Sequence, residues 1–403
     1  MPLRGYRSTM PRARCRFLGV TVPVCAPVTV FVSVFVSVAV LAVSVTPGEA
    51  AIDPPRLPTG APTSGPRTLT VAATGEILVE SPVKQAAAAA AAPGVRYEFA
   101  PLFAPLAPIL ARVDLAICHM EFPIGAPGEE AGNHGPGPYQ GFRWLAPYEL
   151  AAGARAAGYT RCSTASNHSY DLGDSGVVST LDALDAAGVG HAGTARSPEE
   201  TDVVPFDVNG VKVAHMAYSR VSNTVVAHPW QLAVASVDRV VADVAAARAQ
   251  GAEVVILSLH VGPELLPEPA SGDRAFVEQV TAATHVDLVV MHGPHVVQPV
   301  EWVNGSLVYW SVGNQLTGMG VAGKGKYVDP RTLDSLMAVV RFTERPDGSF
   351  VATPWTVLVC LDPDSRVSYP AMATLSQGGI SDDLRARLQR CVDRSSKVVA
   401  DLR

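Results

Sequence analysis

The sequence lacks any Cys-x-x-Cys pair, and this absence argues against a zinc site built from thiolates. It is also poor in charge, since only 17% of the 403 residues are charged whereas 48% are hydrophobic. That balance excludes an intrinsically disordered chain and suffices for one large domain or two ordinary ones. No basic stripe with interleaved aromatic residues occurs, so we expect no nucleic acid among the partners.

Six cysteines are present, and their positions bear on the redox compartment of the protein. Cys15 and Cys25 lie near the amino terminus, which leaves four cysteines for the folded part. These are Cys118, Cys162, Cys360 and Cys391. In an oxidising compartment all four could form disulfides, but four cysteines allow three connectivities and the sequence does not choose among them.

The first fifty residues have the pattern of a targeting segment. Five arginines precede an almost entirely apolar run over 17–45, and small residues at 48 and 50 suit a signal peptidase. The run is also long enough to span a bilayer. We therefore expect an exported protein, extracellular or in the cell envelope, with 1–50 as either a cleaved signal peptide or a membrane anchor. This segment has a charge of +4 against −6 for the whole chain, so the remainder is acidic.

Composition and periodicity divide the rest of the chain. Residues 51–67 are predicted to be a proline-rich linker and 68–316 the main domain. Residues 317–403 are predicted to be a carboxy-terminal extension, a hairpin and a terminal helix, that packs on the domain. The Gly- and Pro-rich segment 125–141 is predicted to be a loop bordering a pocket. Strands alternate with helices at first and hairpins appear later, which predicts an α/β fold with a mixed sheet or two packed sheets.

Apolar runs that end in potential metal ligands recur along the chain. The run 254–259 is followed by His260, and the run 287–291 is followed by His292 and His295. In open α/β sheets, ligands bind at the carboxyl ends of the strands. The same pattern occurs earlier in the chain, at Glu76, at Glu121 and at the pair Asn167-His168.

Carboxylate and amide oxygens mixed with imidazoles suit Mn, Zn or Fe(II). We predict a site for one or two divalent cations with the ligands Glu76, Glu121, Asn167, His260, His292 and His295. A pair of such ions can clamp the attacking and leaving oxygens of a phosphoryl or acyl transfer. Taken singly, each residue has an ordinary alternative: a solvated turn glutamate, an Asx-turn asparagine, a loop or core histidine. Their recurrence at successive strand ends favours a shared site.

Six segments, in order, resemble the motifs of a known family. They are Thr74-Gly75-Glu76, His119-Met120-Glu121, Asn167-His168, His260-Val261-Gly262, His292-Gly293-Pro294-His295 and Gly313-Asn314. Together they are similar to the motifs of the CapA family, the poly-γ-glutamate capsule biosynthesis proteins, which have a calcineurin-like metallophosphatase fold. The resemblance covers about 68–314. It implies a four-layer α/β/β/α sandwich, metallophosphoesterase-like, with a metal site at the strand ends.

The resemblance also implies roles for individual residues. In the wider phosphatase fold, the Asn of the third motif ligates a metal and its His contacts the phosphoryl oxygen. By analogy, Asn167 would be a ligand and His168 the acid or oxyanion stabiliser. Glu121 matches the acidic residue of the second motif and would serve catalysis as well as metal binding. His119 and Asn314 are further pocket candidates.

The sequence departs from the family pattern at three positions. Glu76 replaces the usual Asp, and the extra methylene moves the carboxylate by roughly 1 Å. Gly293 stands where relatives often carry another His, and Val261 stands where Trp is usual. The Asp-x-His motif of true phosphatases is absent, as it is across this family. These departures leave the number of bound metals open.

Three functions follow as hypotheses. The first is a component of poly-γ-glutamate or related cell-envelope polymer biosynthesis, with the polymer or its synthase complex at the membrane as partner. The second is a free-standing metal-dependent hydrolase of phosphoesters or amides. The third is a non-catalytic assembly protein that keeps the fold with a degenerate site.

Overall fold

The computed structural model describes residues 65–138, 141–320 and 328–399. The predicted targeting segment 1–50 and most of the predicted linker 51–67 therefore lie outside the described residues. Within the described part of the chain, no helix combines the length and hydropathy needed to cross a bilayer.

Sixteen strands occur in the described residues. They are β1 (Thr68–Ile77), β2 (Leu115–Met120), β3 (Gly132–Pro136), β4 (Phe142–Leu145), β5 (Arg161–Ser163), β6 (Gly190–Ala192), β7 (Phe206–Val208), β8 (Val211–Ser219), β9 (Val254–His260), β10 (Leu288–His292), β11 (Val300–Val303), β12 (Ser306–Tyr309), β13 (Asn314–Leu316), β14 (Asp334–Glu344), β15 (Phe350–Leu361) and β16 (Ser368–Pro370).

Nine α-helices occur in the same residues. They are α1 (Ser81–Ala90), α2 (Ala100–Phe103), α3 (Ala107–Leu110), α4 (Glu149–Ala157), α5 (Gly173–Ala186), α6 (Val237–Ala249), α7 (Ser271–Ala283), α8 (Ala371–Ser376) and α9 (Asp382–Val398). A 3₁₀ turn at Ala104–Leu106 separates α2 from α3, where three prolines break the apolar helical spacing.

The first sheet has the strand order β16-β15-β14-β1-β2-β5-β6, and β13 also pairs with β1. Its central strand β1 runs parallel to β2 and antiparallel to β14, so the sheet is mixed as predicted. The second sheet has the order β11-β12-β10-β9-β8-β7. Strands β8, β9 and β10 are parallel, and hairpins close both edges at Asn209-Gly210 and Asn304-Gly305. These are the two Asn-Gly pairs that favour tight turns between strands.

Three hydrophobic cores separate four layers. Helices α1, α2, α4 and α5 pack on the outer face of the first sheet, for example through Phe103 and Leu150. The two sheets pack face to face, with Val71 of β1 and Ile256 of β9 in one core. Helices α6 and α7 cover the second sheet through residues such as Val244. The predicted α/β/β/α sandwich is confirmed, because alternate side chains of each strand serve the cores on either side.

The carboxy-terminal segment is more deeply integrated than a packing extension. Its strand β14 pairs with β1 from Thr68 to Ala73, so the hairpin of β14 and β15 continues the first sheet. Helix α9 joins the core between the sheets through Leu388 and Cys391. The segment 125–141, predicted to be a loop, contributes instead to the two-stranded hairpin of β3 and β4. Its glycines and prolines are typical of a loop, whereas the pairing of β3 with β4 depends on tertiary contacts.

Two disulfides select one of the three possible connectivities. Cys118 pairs with Cys162 across the neighbouring strands β2 and β5, and Cys360 pairs with Cys391 between β15 and α9. The first disulfide joins the two strands whose ends lead to Glu121 and to the Asn167-His168 loop. It therefore ties together two parts of the predicted site.

Candidate metal centre

Strand register brings the predicted ligands to one edge of the sandwich. In the first sheet, Glu76 pairs with His119 and with Asn314. In the second sheet, His260 pairs with His292. Parallel strands in register end at the same level, so side chains remote in the sequence meet there. All five residues are buried.

Glu121 lies where two groups of potential ligands overlap. One group consists of Glu121, His119 and His260, and the other of Glu121, Glu76 and His295; ligand atoms within each group lie within 4.8 Å of one another. Glu121 is only 1% exposed. Neither of its oxygens accepts a hydrogen bond from a donor among the described residues. Two groups sharing one carboxylate suit a pair of cations bridged by Glu121.

His295 is held between a carboxylate and an amide. Its Nδ1 lies 2.8 Å from Glu76 Oε2 and 3.0 Å from Asn314 Oδ1. Burial opposes a charge on this ring, but the Glu76 carboxylate outweighs it and raises the pKa of His295 to about 9. Burial alone would raise the pKa of Glu76, but the positive charge of His295 holds that pKa well below its usual value. The ring is oriented so that Nε2 lies 3.9 Å from Glu121 Oε1 and remains available to a cation.

Three further histidines form a stacked, hydrogen-bonded group. His119 Nδ1 lies 3.1 Å from Ser163 Oγ, and His119 Nε2 lies 3.2 Å from His260 Nδ1. The His292 ring stacks on His119 with centroids 4.0 Å apart. Burial lowers the pKa of His260 to about 3 and that of His292 to about 4. Both rings are therefore neutral at pH 7, which is the state that ligates metals.

The buried polar atoms of this site fit a divalent cation. Burial and the neighbouring Glu76 carboxylate raise the pKa of Glu121 well above its usual range, because two adjacent carboxylates repel each other. Besides the Glu121 oxygens, His292 Nδ1 and Asn167 Oδ1 are buried without a hydrogen-bond partner among the described residues. Buried polar atoms are normally satisfied. A cation would satisfy the orphaned atoms and cancel the repulsion of the carboxylates.

Two glycines let the backbone approach closely enough to build the site. Gly293 has φ +108°, and a Cβ there would lie 1.9 Å from the carbonyl oxygen of Val261. Its N–H donates a 2.8 Å hydrogen bond to Glu76 Oε1. At Gly75, a Cβ would lie 2.3 Å from the carbonyl oxygen of Gly313. Position 293 of this chain thus accommodates only glycine.

Next to the ligands, His168 forms a pair that the sequence reasoning missed. Its Nδ1 lies 2.6 Å from Asp171 Oδ2, an oxygen that also accepts a hydrogen bond from Trp144 N–H at 2.8 Å. Asn223 places its Nδ2 3.3 Å from His168 Nε2 and 3.4 Å from its Nδ1. A signal for Asp171 was present, since it follows His168 by three residues in the same motif. Asn223 belongs to a distant loop and carried no sequence signal.

The loop of Asn167 and His168 is tied to the end of β2. Ser166 Oγ donates a 2.6 Å hydrogen bond to the Glu121 carbonyl oxygen. The His168 ring packs edge-on against the Phe122 ring, with centroids 5.0 Å apart. Asn167 itself donates from Nδ2 to Asn223 at 3.4 Å, which leaves its Oδ1 without a donor. Both residues therefore lie beside the Glu121 end of the site.

Sequence comparison identifies the family of the chain. A profile of the family described as bacterial capsule synthesis protein PGA_cap matches residues 70–319, more than half of the chain. The chain belongs to the PGA_cap family. The match begins in β1 and ends just after β13, so it includes every predicted ligand.

Curated relatives agree with this membership. The PGA biosynthesis protein CapA of Bacillus subtilis (strain 168) is 27% identical over 204 residues, 49% of this chain and 50% of the relative. The capsule biosynthesis protein CapA of Bacillus anthracis is 25% identical over 211 residues, 50% of this chain and 48% of the relative. This PGA_cap chain thus aligns with about half the length of either relative. The resemblance to the CapA family that the motifs indicated is confirmed.

A solved structure was also matched. The calcineurin-like phosphoesterase YfkN from Bacillus subtilis has 13% sequence identity and a TM-score of 0.43, over 82% of this chain and 97% of the YfkN chain. The layer order of the PGA_cap chain follows independently from its own strands and cores.

The structure therefore places the predicted residues as follows. Glu76, Glu121, His260 and His295 come together in the two ligand groups, and His119 joins them. His292 lies against them by stacking, and Asn314 orients His295. Asn167 and His168 lie on the adjoining loop. Metal binding by this set stays a prediction.

Proposed function

We propose that this protein is an exported component of capsule or related cell-envelope polymer biosynthesis, and that it works through one or two divalent cations at its strand ends. One observation carries the proposal: Glu121 is buried at the overlap of two ligand groups, and neither of its oxygens accepts a hydrogen bond from a donor among the described residues. An ionised carboxylate in that state costs free energy, which a bound cation or a proton offsets.

All the ligands that support the proposal are residues of this chain. Glu121 would be shared, with His260 on one side and Glu76 and His295 on the other. Mn, Zn or Fe(II) suits such a mixture of carboxylate and imidazole donors. When bound, a cation of this kind supplies Lewis-acid chemistry for a phosphoryl or acyl centre.

His168 is equipped to move a proton beside that site. Its Nδ1–H donates to Asp171, which fixes the tautomer and leaves Nε2 facing away from the carboxylate. The backbone N–H of Trp144 holds the same Asp171 oxygen in place. Nε2, which this tautomer leaves unprotonated, can accept a proton from an attacking water, and the resulting imidazolium, paired with Asp171, can pass that proton to a leaving oxygen. The pairing supports the second hypothesis, a metal-dependent hydrolase, as a candidate activity within the same biological role.

Export and a polymer partner are supported by separate observations. The amino-terminal segment has a targeting pattern, and the described cysteines pair as two disulfides, which persist in oxidising compartments. The relatives named for PGA and capsule biosynthesis support an envelope polymer, or the synthase complex that makes it, as partner. A cleaved signal peptide and a membrane anchor both remain compatible with this role.

Metal analysis of the purified protein tests the site. We expect the protein to retain Mn or Zn in stoichiometric amounts and Glu121→Gln to lose most of it, because both groups use that carboxylate. His285→Ala is the matched control for His292→Ala, since His285 precedes β10 and is exposed while His292 ends the same strand. Equal metal content in all four proteins would contradict the proposal. Loss of metal in Glu121→Gln and His292→Ala alone would support it against a degenerate assembly protein.

Genetics and enzymology then separate the roles. A deletion strain should lose capsule or envelope glutamate polymer, the wild-type gene should restore it, and the Glu121→Gln gene should not. Unchanged envelope material in the deletion strain would end the biosynthetic proposal. The metal-loaded protein should be assayed on phosphodiesters and on γ-glutamyl amides. Turnover that His168→Ala abolishes, with metal content preserved, would identify it as a hydrolase.

A further inference from the structure

A second site lies away from the metal centre, in a cavity of about 480 Å³ at the edge strands of the two sheets. Strand β6 of the first sheet, strands β7 and β8 of the second and helix α6 surround it. None of its described lining residues belongs to the metal centre. The volume lies within the range of small-molecule sites. We call this space the side cavity.

A half-buried guanidinium forms part of the lining of the side cavity. Arg161 extends from β5 into the layer between the sheets, where Nε donates to His215 Nδ1 at 3.0 Å and Nη2 donates to the His191 carbonyl oxygen at 2.7 Å. The guanidinium stacks over the Phe206 ring at 4.6 Å. Gly190 makes room for it, since a Cβ there would lie 2.8 Å from Nη1. These contacts fix both the position and the orientation of the charge.

Arg161 has no carboxylate partner among the described residues. Its two hydrogen bonds go to a neutral imidazole and a carbonyl group, and burial alone lowers the pKa of Arg161 to about 10. Charges that are partly removed from water are normally paired in proteins, because an isolated one loses hydration without compensation. A guanidinium has five N–H donors, so Nη1 and one N–H of Nη2 have no acceptor among the described residues. The free donors form the fork that matches a carboxylate.

The other charged residues of the side cavity are already paired or lie at its rim. Arg239 lies 3.6 Å from Asp243, whose Oδ2 accepts a hydrogen bond from Tyr218. Glu200 pairs with Arg196 at 2.8 Å. The acidic rim residues Glu199, Glu200 and Asp202 are exposed. An acidic rim disfavours anions with several charges, whereas a single carboxylate can reach the guanidinium with an apolar body beside Phe206 and Trp230.

We propose that the side cavity is a binding site for a small monocarboxylate whose carboxylate pairs with Arg161. The bound carboxylate supplies the missing counter-charge, and the aromatic lining covers its apolar part. The aromatic side chains and the apolar half of the lining favour this class over inorganic anions. The site is independent of the metal centre and does not rest on the proposed function.

Calorimetry on the metal-free protein tests this inference, with butyrate and inorganic phosphate as probes in chloride-free buffer. Chelation removes metal-dependent binding of anions at the metal centre. We expect butyrate to bind at roughly millimolar concentration and phosphate at least about tenfold more weakly. Arg161→Met should weaken butyrate binding by at least about tenfold, because it keeps an apolar stem and removes the fork. Arg239→Met is the matched control and should bind as the wild type does.

Stability measurements keep the test decisive if Arg161→Met folds poorly. Arg161→Lys retains the charge without the fork and should bind butyrate more weakly than the wild type. Butyrate should raise the melting temperature of the wild type and of Arg239→Met. It should not raise that of Arg161→Met or Arg161→Lys. The inference is overturned if the wild type shows neither heat nor a melting shift with butyrate. It is also overturned if phosphate binds as tightly, or if Arg161→Met or Arg161→Lys binds butyrate as well as the wild type.

Discussion

Binding of the first divalent cation should compete with protons at two identified groups. Burial and Glu76 raise the pKa of Glu121 well above its usual range, so this group holds its proton to higher pH than an ordinary glutamate does. His295 is an imidazolium at pH 7, since its pKa is raised to about 9. Both must lose a proton to act as ligands. His260 and His292 have pKa values of about 3 and 4 and are already neutral, so they contribute none.

The magnitude follows from His295. Near pH 7 its proton should leave with the first cation, so the logarithm of the apparent association constant should rise by at least about 1 per pH unit, and proton loss from Glu121 adds to this slope. Each displaced proton corresponds to about 1.4 kcal/mol per pH unit. The sign is fixed: affinity falls as pH falls, because protons compete with the cation. The slope should flatten as pH approaches the pKa of His295, where that group no longer holds its proton.

Calorimetric titration with Mn²⁺ in buffers of different ionisation enthalpy measures the protons released. His295→Asn should reduce the number by about one, Glu121→Gln should reduce it at pH values where Glu121 still holds its proton, and His285→Ala should leave it unchanged. Tight binding without proton release at pH 7 would refute the reasoning. So would release that persists unchanged in both Glu121→Gln and His295→Asn, because the protons would then come from other groups.

Three further predictions concern the residues that hold the site in place. Replacing Cys118 and Cys162 together by Ala removes a cross-link between residues 44 positions apart. It should lower the free energy of unfolding by about 2–4 kcal/mol in urea titrations; an unchanged midpoint would contradict the assignment. Gly293→Ala should destabilise the protein by on the order of 3 kcal/mol, from a backbone clash and a positive φ, whereas Gly272→Ala, which meets open space, should not lower the melting temperature. Asp171→Asn should leave metal content intact and reduce kcat by on the order of 10²-fold in any assay in which the metal-loaded protein turns over; equal loss of metal and rate would show that Asp171 serves binding instead.

Much of the site could be predicted because its chemistry sits at the ends of hydrophobic runs. The run before His260 is confirmed as β9, and the run before His292 as β10. Glu76 and Glu121 follow the same rule in the first sheet. Such residues stand out in a sequence because a strand that is buried on both faces is apolar until the point where it meets the ligand.

The failures have a different origin. The hairpin of β3 and β4 is rich in glycine and proline, and no alternation of polar and apolar residues marks it. The segment after 317 was separated from the domain because its strands follow the motifs in sequence, yet β14 pairs with β1 across more than 260 positions. Asn223, which contacts His168, and Arg161, which lines the side cavity, both make contacts with segments that are distant in the sequence. Pairing of this kind depends on loop closure and packing, which local composition does not encode.

The sequence by itself determined the strands that carry the site, the residue types at their ends and the family, because periodicity, hydropathy and motif order are local properties. Only the tertiary structure decided that Glu121 is shared by two ligand groups, that His295 is committed to Glu76, and which cysteines pair. It alone showed that the Arg161 charge, beside a cavity, has no carboxylate partner in the part of the chain that the structure describes. These outcomes depend on the distances between strands remote in the sequence and on the loss of hydration at their contacts. Both arise only when the two sheets close on each other.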